Sequence, residues 1–291
     1  MALSYRLNRP LHPTDGQRPR KVLVTGAGGN IGSYFAEHCA ERYELRLMLR
    51  KDDETCGIER FGEIVRGDLS ELDRMKDLCA GVDTVLHLAG NASPSAKWDE
   101  ILPANIVGTY NVFVAAKAAN CRRVIYASSI HAVSGYPADV QVKTTDPVNP
   151  GDIYGVSKCF GEALGRYFAE KEGLSVVALR IGAFQPREAA QDEENVGLVD
   201  AFVSRRDLTQ LIMRCIDDEQ IRFAIFNGLS NNRFKRLDIS DARELVGYEP
   251  QDDFAEENPR LQQSGIAEDV RAHSKEDRSQ RSGIRGEVES D

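Results

Sequence analysis

The sequence has no apolar run near the roughly 20 residues that a membrane-spanning helix requires, and it has no excess of positive charge. Its formal net charge of −9 at pH 7 argues against nucleic acid or an anionic membrane as the main partner. Residues 1–20 lack the apolar middle section of a signal peptide. We therefore expect a cytoplasmic protein whose partners include neither a nucleic acid nor a membrane.

Cysteine is present but never in a pattern that indicates a cross-link or a metal. The sequence contains no Cys-x-x-Cys, and no cysteine clusters with histidine. We therefore expect reduced thiols in or near a core and no bound metal. The six cysteines are Cys39, Cys56, Cys79, Cys121, Cys159 and Cys215.

The length of 291 residues allows one large or two modest domains with a sizeable core. Residues 1–20 are rich in polar residues and proline, which indicates a flexible N-terminal arm. Phe254 is the last aromatic residue, and residues 251–291 are dominated by charged and polar side chains. This composition predicts a disordered tail, so the ordered body is expected over residues 21–250.

Strand-like and helix-like patterns alternate through that body. The alternation predicts an α/β fold of the Rossmann type, with a doubly wound, mostly parallel sheet. Ligands bind such sheets at the carboxyl ends of the strands. The predicted strands are 22–25, 45–49, 63–66, 84–88, 123–127, 175–180 and 222–226, and the predicted helices are 31–40, 73–80, 106–120, 154–172 and 206–217.

Glycines fill the turn between the first strand and the first helix, in Thr25-Gly26-Ala27-Gly28-Gly29-Asn30-Ile31-Gly32. The spacing is G-x-x-G-x-x-G rather than the commoner G-x-G-x-x-G. Glycines there permit a tight turn and a close approach of the backbone to a pyrophosphate at the helix N-terminus. A glycine-rich loop can be merely a turn, but its position between strand and helix favours dinucleotide binding. The predicted contacts are Gly26, Gly29, Asn30, Ile31 and Gly32.

Tyr154 and Lys158 stand four residues apart on a predicted helix, so their side chains share one face. An ammonium group there can stabilise a phenolate and make tyrosine a usable base nearer neutral pH. A Tyr-x-x-x-Lys alone is weak evidence, because a solvated helix can contain it by chance. Following a dinucleotide-binding turn, it indicates a nicotinamide-dependent enzyme.

With these motifs in order, the chain resembles the extended short-chain dehydrogenase/reductases of the NAD-dependent epimerase/dehydratase type, over roughly residues 20–250. The remaining motifs that carry the resemblance are Gly67-Asp68-Leu69, His87-Leu88-Ala89-Gly90, Asn105-Ile106-Val107-Gly108-Thr109, Ser128-Ser129 and Leu179-Arg180-Ile181-Gly182.

The resemblance implies roles for individual residues. Ser129 would hydrogen-bond the reacting hydroxyl or carbonyl group, Tyr154 would transfer the proton, and Lys158 would tune Tyr154 and bind the nicotinamide ribose. Asn105 would belong to the catalytic and cofactor-binding residues, although it could instead be a helix N-cap. Ser129 could be an ordinary serine at a strand end. The other implied cofactor contacts are Asp68, Leu69, Leu88, Ala89 and Gly90.

A closer resemblance is to uronate dehydrogenases, which oxidise the C1 hydroxyl group of a hexuronic acid to an aldarolactone. It rests on residues 126–131, 154–162 and 179–182. It implies that Arg180 meets the substrate carboxylate, as bidentate geometry favours, although a structural arginine is the alternative. Further implied substrate contacts are Ser93, Ser129 and His131, the last of which could instead be a packed loop residue. The subgroup usually has asparagine where this chain has Ile130.

The second strand ends in Leu49-Arg50-Lys51, where an NAD enzyme would have an acidic residue for the adenosine ribose. Two cations there can pair with a 2′-phosphate, so we expect NADP to be favoured and NAD to be possible. The alternative is a solvated loop in which Asp52 and Asp53 neutralise the two cations.

The favoured function is an NAD(P)-dependent dehydrogenase of a small sugar or sugar acid, with a small C-terminal substrate region mainly in residues 181–250. That region is short for a nucleotide-sugar domain. The alternatives are a sugar epimerase or dehydratase and a non-catalytic NADP-sensing relative. A homodimer is the family expectation.

Overall fold

The computed structural model describes residues 19–263. Most of the predicted arm (residues 1–18) and of the predicted tail (residues 264–291) lies outside the described residues. Within the described part, no helix is long and apolar enough to cross a membrane. All six cysteines are free, and Cys56 is exposed whereas the other five are buried or half-buried.

A seven-stranded parallel sheet forms the centre, which confirms the predicted fold class. Its strands are β1 Lys21–Thr25, β2 Glu44–Leu49, β3 Glu63–Arg66, β4 Thr84–His87, β5 Arg123–Ser129, β6 Ser175–Ile181 and β9 Phe223–Gly228. Their spatial order is β3-β2-β1-β4-β5-β6-β9. The chain runs outward from β1 to β3 and then crosses to β4 on the other side of β1, so the strand order reverses between β1 and β4. A ligand crevice is expected there.

Successive side chains of β1 enter two different cores. Val22 and Val24 pack into one core, and Leu23 packs into the other, with all three fully buried. Because both faces of the sheet are covered, its strands are continuous apolar runs rather than alternating ones. This is why the short run that begins at Lys21 predicts a central strand correctly.

Helices cover both faces of the sheet. The first layer contains α1 Asn30–Cys39, α6 Arg205–Asp217 and α7 Ser240–Val246, and it buries Phe35, Leu208 and Val246. The second layer contains α2 Leu72–Cys79, α4 Thr109–Ala118 and α5 Ile153–Lys171, and it buries Met75, Phe113 and Phe168.

The helix predicted over residues 106–120 is only part of a longer helical stretch. The short helix α3 Trp98–Ile101 leads directly into a π-helical segment, Leu102–Gly108, which continues into α4. Segments of π-helix are rare and are often found at functional sites. Apolar periodicity at 3.6 residues per turn does not anticipate such a segment.

The chain beyond β6 adds a smaller region above the carboxyl edge of the sheet. Two short parallel strands, β7 Ala183–Gln185 and β8 Phe202–Ser204, pair there. Gly182 and Ala183 lead from β6 directly into this pair. These elements belong to the region in which we predicted the substrate-binding part of the chain.

The predicted disorder from residue 251 onward is wrong for residues 251–263. Helices α8 Phe254–Glu257 and α9 Pro259–Gln263 end the described chain, and Phe254 is fully buried against Phe202, with ring centroids 5.5 Å apart. Asp252 forms an ion pair with Arg206 at 2.7 Å. The acidic residues that suggested solvated disorder instead pair with arginines of the body.

Candidate active site

The glycine turn after β1 leaves the N-terminus of α1 open to an anion. Gly26 has φ +71°, and a Cβ atom there would lie 2.8 Å from Ala89 N. A Cβ atom at Gly32 would lie 2.5 Å from Gly26 O. No side chain caps α1, so the backbone N–H groups at its start, in Asn30 to Gly32, point outward without helical acceptors. This cradle fits a pyrophosphate group, as the sequence predicts.

His87, at the end of β4, joins the two strands that flank the crevice. Its Nδ1 lies 2.8 Å from Thr25 Oγ1, and its Nε2 lies 3.3 Å from Thr109 Oγ1. Thr25 Oγ1 also accepts a hydrogen bond from Ala89 N at 3.2 Å. The backbone after β4, which contains the predicted cofactor contacts Leu88, Ala89 and Gly90, is therefore fixed against the glycine turn.

Burial, with a smaller effect of the Lys158 charge, lowers the pKa of His87 from 6.5 to about 3. Below pH 6.5 the unfolded chain binds a proton here and the folded chain does not, so the free energy of unfolding falls as pH falls, by up to about 1.4 kcal/mol per pH unit. His87→Gln has no titrating group at this position. We therefore expect the free energy of unfolding of wild type, relative to that of His87→Gln, to fall by about 2 kcal/mol from pH 7 to pH 5, as measured by urea titration. An unchanged difference would contradict the buried neutral imidazole.

The predicted pair Tyr154 and Lys158 lies on the buried face of α5, with exposed fractions of 7% and 6%. Lys158 Nζ is 5.4 Å from the centroid of the Tyr154 ring and donates a hydrogen bond to Ala127 O at 2.8 Å. Lys158 therefore lies between α5 and the carboxyl half of β5. A Cβ atom at Gly90 would be 3.8 Å from Lys158 Nζ, so the ammonium group also faces the loop after β4.

The protonation of the pair differs from the sequence-based expectation that Lys158 lowers the pKa of Tyr154. Burial raises the pKa of Tyr154 above 10, and a hydrogen bond with Ser129 offsets part of that effect. Burial also lowers the pKa of Lys158 to about 8. Desolvation is thus the largest influence on the pKa of both groups.

Ser129 and His131 meet Tyr154 where β5 ends. Ser129 Oγ accepts a hydrogen bond from His131 N at 3.2 Å. The His131 ring packs edge-on against the Tyr154 ring, with centroids 5.4 Å apart. His131 Nδ1 lies 2.6 Å from Asp152 Oδ2, while Asp152 Oδ1 caps α5 by accepting a hydrogen bond from Gly155 N at 2.7 Å. Sequence reasoning missed Asp152, although an aspartate before a helix is an N-cap signal.

Asn105 holds the loop after β4 rather than capping a helix. It lies inside the π-helical segment, and its Nδ2 donates to Asn91 O at 2.9 Å and to Ser157 Oγ at 3.0 Å. Its Oδ1 accepts from Asn91 N at 2.7 Å. Both amide N–H groups are thus in use, and the N-cap alternative is wrong. A catalytic role for Asn105 stays a prediction.

Ser93 belongs to the same loop. Its backbone N donates to Asn91 Oδ1 at 3.0 Å, and its Oγ lies 2.9 Å from Ser95 Oγ. Farther along the loop, Ala96 packs with Tyr154 in a small buried cluster. The loop that contains Ser93 is therefore a wall of the site beside Tyr154.

Arg180 has different contacts from those predicted. Its side chain is 1% exposed, and its Nε and Nη2 each donate to the Glu162 carboxylate at 2.9 Å. Ser128 Oγ donates to Glu162 as well, at 2.6 Å. The bidentate geometry that suggested a substrate carboxylate is thus satisfied inside the protein. Arg180 Nη1 is buried and has no hydrogen-bond partner among the described residues, so a contact between Arg180 and the substrate stays a prediction.

The predicted adenosine site lies where β2 and β3 end. Gly67 N donates to Leu49 O at 3.1 Å, which brings the residues after both strands together. Asp68 accepts hydrogen bonds from the backbone and hydroxyl of Ser70, which lower the pKa of Asp68. Arg50 is exposed and paired with Asp53 at 3.0 Å, and Lys51 is exposed beside it. Leu69, in contrast, is buried.

Comparison with known proteins gives consistent results. The sequence profile of the NAD dependent epimerase/dehydratase family matches residues 22–224. The NAD-dependent glucose-6-phosphate dehydrogenase of Haloferax volcanii is 33% identical, over 81% of this chain and 94% of that protein. The L-arabinose 1-dehydrogenase (NAD(P)(+)) of the same organism is 34% identical, over 81% of this chain and 98% of that protein.

A solved structure is similar over nearly the whole described chain. The crystal structure of uronate dehydrogenase from Agrobacterium tumefaciens superposes with a TM-score of 0.73 at 29% identity, over 89% of this chain and 91% of that chain. The similarity therefore extends beyond the dinucleotide-binding half into the region after β6.

Proposed function

Because the chain belongs to the NAD dependent epimerase/dehydratase family, we propose that it is an NAD(P)-dependent dehydrogenase that oxidises a hydroxyl group of a small sugar or sugar acid. One observation carries the proposal: Ser129 and Tyr154 meet at the carboxyl edge of the sheet, on the side of the crevice opposite the glycine turn. The relatives described above support the substrate class, since they are sugar or sugar-acid dehydrogenases.

In the proposed reaction, Tyr154 in its phenolate form accepts the proton of the substrate hydroxyl group and becomes a neutral phenol, while Ser129 Oγ hydrogen-bonds the same substrate oxygen. A nicotinamide cofactor, held by the glycine turn and the loop after β4, would supply the hydride acceptor for the carbon that bears this oxygen. Lys158 is cationic below its pKa of about 8 and favours the phenolate form of Tyr154 as the proton moves. The burial of Tyr154 keeps water away from the reacting oxygen.

We propose that the substrate is held by the loop that contains Ser93 and by His131. Asp152 Oδ2 is hydrogen-bonded to Nδ1 of His131, so Nε2 is the ring nitrogen that remains for a hydrogen bond with the sugar. The C1 hydroxyl group of an aldose or a uronic acid is the proposed reacting group. Nε and Nη2 of Arg180 donate to Glu162, so Nη1 is the nitrogen of Arg180 that remains for a uronate carboxylate.

A substrate panel tests the function. Neutral aldoses, aldose phosphates and hexuronic acids are each incubated with NAD and with NADP, and the absorbance of reduced nicotinamide is followed. Oxidation of one class supports the proposal and names the class. Epimer formation without net reduction would identify a sugar epimerase instead, and cofactor binding without any turnover would favour a sensing role.

We further propose that NADP is favoured, through Arg50 and Lys51 at the 2′ position of the adenosine ribose. Replacing Arg50 with aspartate is expected to shift the ratio of kcat/KM for NADP over NAD at least about tenfold toward NAD, because the new charge repels the phosphate. Kinetics with both cofactors measure this ratio. A wild-type preference for NAD of tenfold or more would contradict the proposal.

We also propose a homodimer formed through α4 and α5. Their exposed surfaces include Tyr110 on α4 and Val156 and Tyr167 on α5, with exposed fractions of 44% to 50%. Sedimentation of the full chain tests it, and a monomer at micromolar concentration would contradict it.

A further inference from the structure

The turn after β2 holds Arg50 in a closed arrangement. Arg50 Nε donates to both oxygens of Asp53 at 3.2 Å, and Arg50 Nη2 lies 3.0 Å from Asp53 Oδ1. The backbone N of Arg50 also donates to Asp53 Oδ2, at 3.1 Å. One carboxylate thus occupies both the side chain and the backbone donor of the same residue, in the manner of a bidentate anion ligand.

A second arginine fixes the turn that presents this carboxylate. Arg66 Nη1 donates to Arg50 O at 2.7 Å and to Asp53 O at 2.5 Å. The backbone of Arg66 is in turn bound by α2, because Arg74 Nε donates a hydrogen bond to Arg66 O at 2.9 Å. Because both ends of the turn are tied to β3, Asp53 stays beside Arg50, and only the Arg50 side chain, which is 79% exposed, is free to turn away.

We propose that Asp53 competes with the 2′-phosphate of NADP for Arg50 and thereby sets the relative use of NADP and NAD. This inference rests on the proposed function, in which the adenosine ribose arrives at the end of β2. A phosphate must displace a carboxylate that the fold already supplies, whereas a free 2′-hydroxyl group does not. Asp53 is then a specificity-determining residue that acts through Arg50.

The size of the effect follows from the exposure of the pair. An exposed ion pair is weak, so its removal should favour the phosphate only modestly, by roughly fivefold. The negative charge of Asp53 also repels a phosphate at long range. That contribution is shared by Asp52, the exposed neighbour in the same turn, for which the described residues show no hydrogen bond to Arg50.

Asp53→Asn and Asp52→Asn form a matched pair, because each removes one negative charge from the same turn. Dissociation constants of NADP and NAD are measured by calorimetry on the full chain, without sugar, for wild type and both variants. We expect the ratio of NADP to NAD affinity to rise at least threefold in Asp53→Asn and less than twofold in Asp52→Asn. A substitution that weakens the binding of both cofactors equally leaves this ratio unchanged.

A third comparison tests whether the effect passes through Arg50. In an Arg50→Gln background, Asp53→Asn should change the ratio by less than twofold. An unchanged ratio in Asp53→Asn, an equal rise in Asp52→Asn, or an effect that persists without Arg50 would each overturn the proposal. Because only cofactor binding is measured, a substrate panel that finds no turnover would reject the proposed function without affecting this result.

Discussion

Tyr154→Phe is expected to lower kcat at least ~100-fold while the affinity for the cofactor stays within a few-fold. The substitution deletes the oxygen that accepts the proton in the proposed reaction and leaves the ring, which packs against His131 and against the loop that contains Ser93. Steady-state kinetics with the substrate found in the panel measure kcat. Calorimetry with the cofactor shows that the site is still formed.

Tyr126→Phe is the matched control for this variant. Tyr126 is also buried, and Lys158 Nζ lies 5.2 Å from its ring centroid, nearly the same distance as to Tyr154. The control removes a phenolic hydroxyl group from a ring at a similar distance from the same ammonium group, and we expect its kcat to stay within several-fold of wild type. Near-normal turnover in Tyr154→Phe, or equal losses in both variants, would remove Tyr154 from the proposed mechanism.

Glu162→Leu is expected to lower the free energy of unfolding by about 3 to 5 kcal/mol, because it leaves the Arg180 guanidinium group buried without a counter-charge. Both side chains are almost fully buried, at 4% and 1% exposed, so water cannot take the place of the carboxylate. Urea titration measures the loss.

The double variant Glu162→Leu with Arg180→Met separates the ion pair from the volume it fills. Replacing both buried charges with apolar groups of similar size is often neutral or stabilising, so we expect the double variant to recover most of the lost stability. A loss below about 1 kcal/mol in the single variant, or no recovery in the double variant, would contradict a structural role for the pair.

The sheet was predictable because each central strand is an apolar run bounded by turn residues. Burial on both faces of the sheet makes these runs nearly continuous, so they do not show the alternation of polar and apolar residues that marks a half-exposed strand. The glycine turn was predictable for a steric reason, since Gly26 and Gly32 have no room for a Cβ atom. The positive φ of Gly26 and the approach of Gly32 to Gly26 O arise within the turn itself and are therefore visible in the sequence.

The site contacts that the sequence did not predict depend on distant partners. Arg180 looked like a free cation because Glu162, its counter-charge, lies on a different element. Asp252 looked solvated because Arg206 meets it only after the chain folds back. For Lys158, spacing placed it on the same helix face as Tyr154, but only the structure shows that its Nζ points to Ala127 O.

Asp152 links two parts of the site that the chain builds separately. One of its oxygens begins the helix that holds Tyr154, and the other holds His131, whose backbone donates to Ser129. Local opening of the segment after β5 would therefore also release the first turn of α5, so the two segments should open as one cooperative unit. Partly assembled states, with Tyr154 in place and Ser129 displaced, then contribute little to the native ensemble.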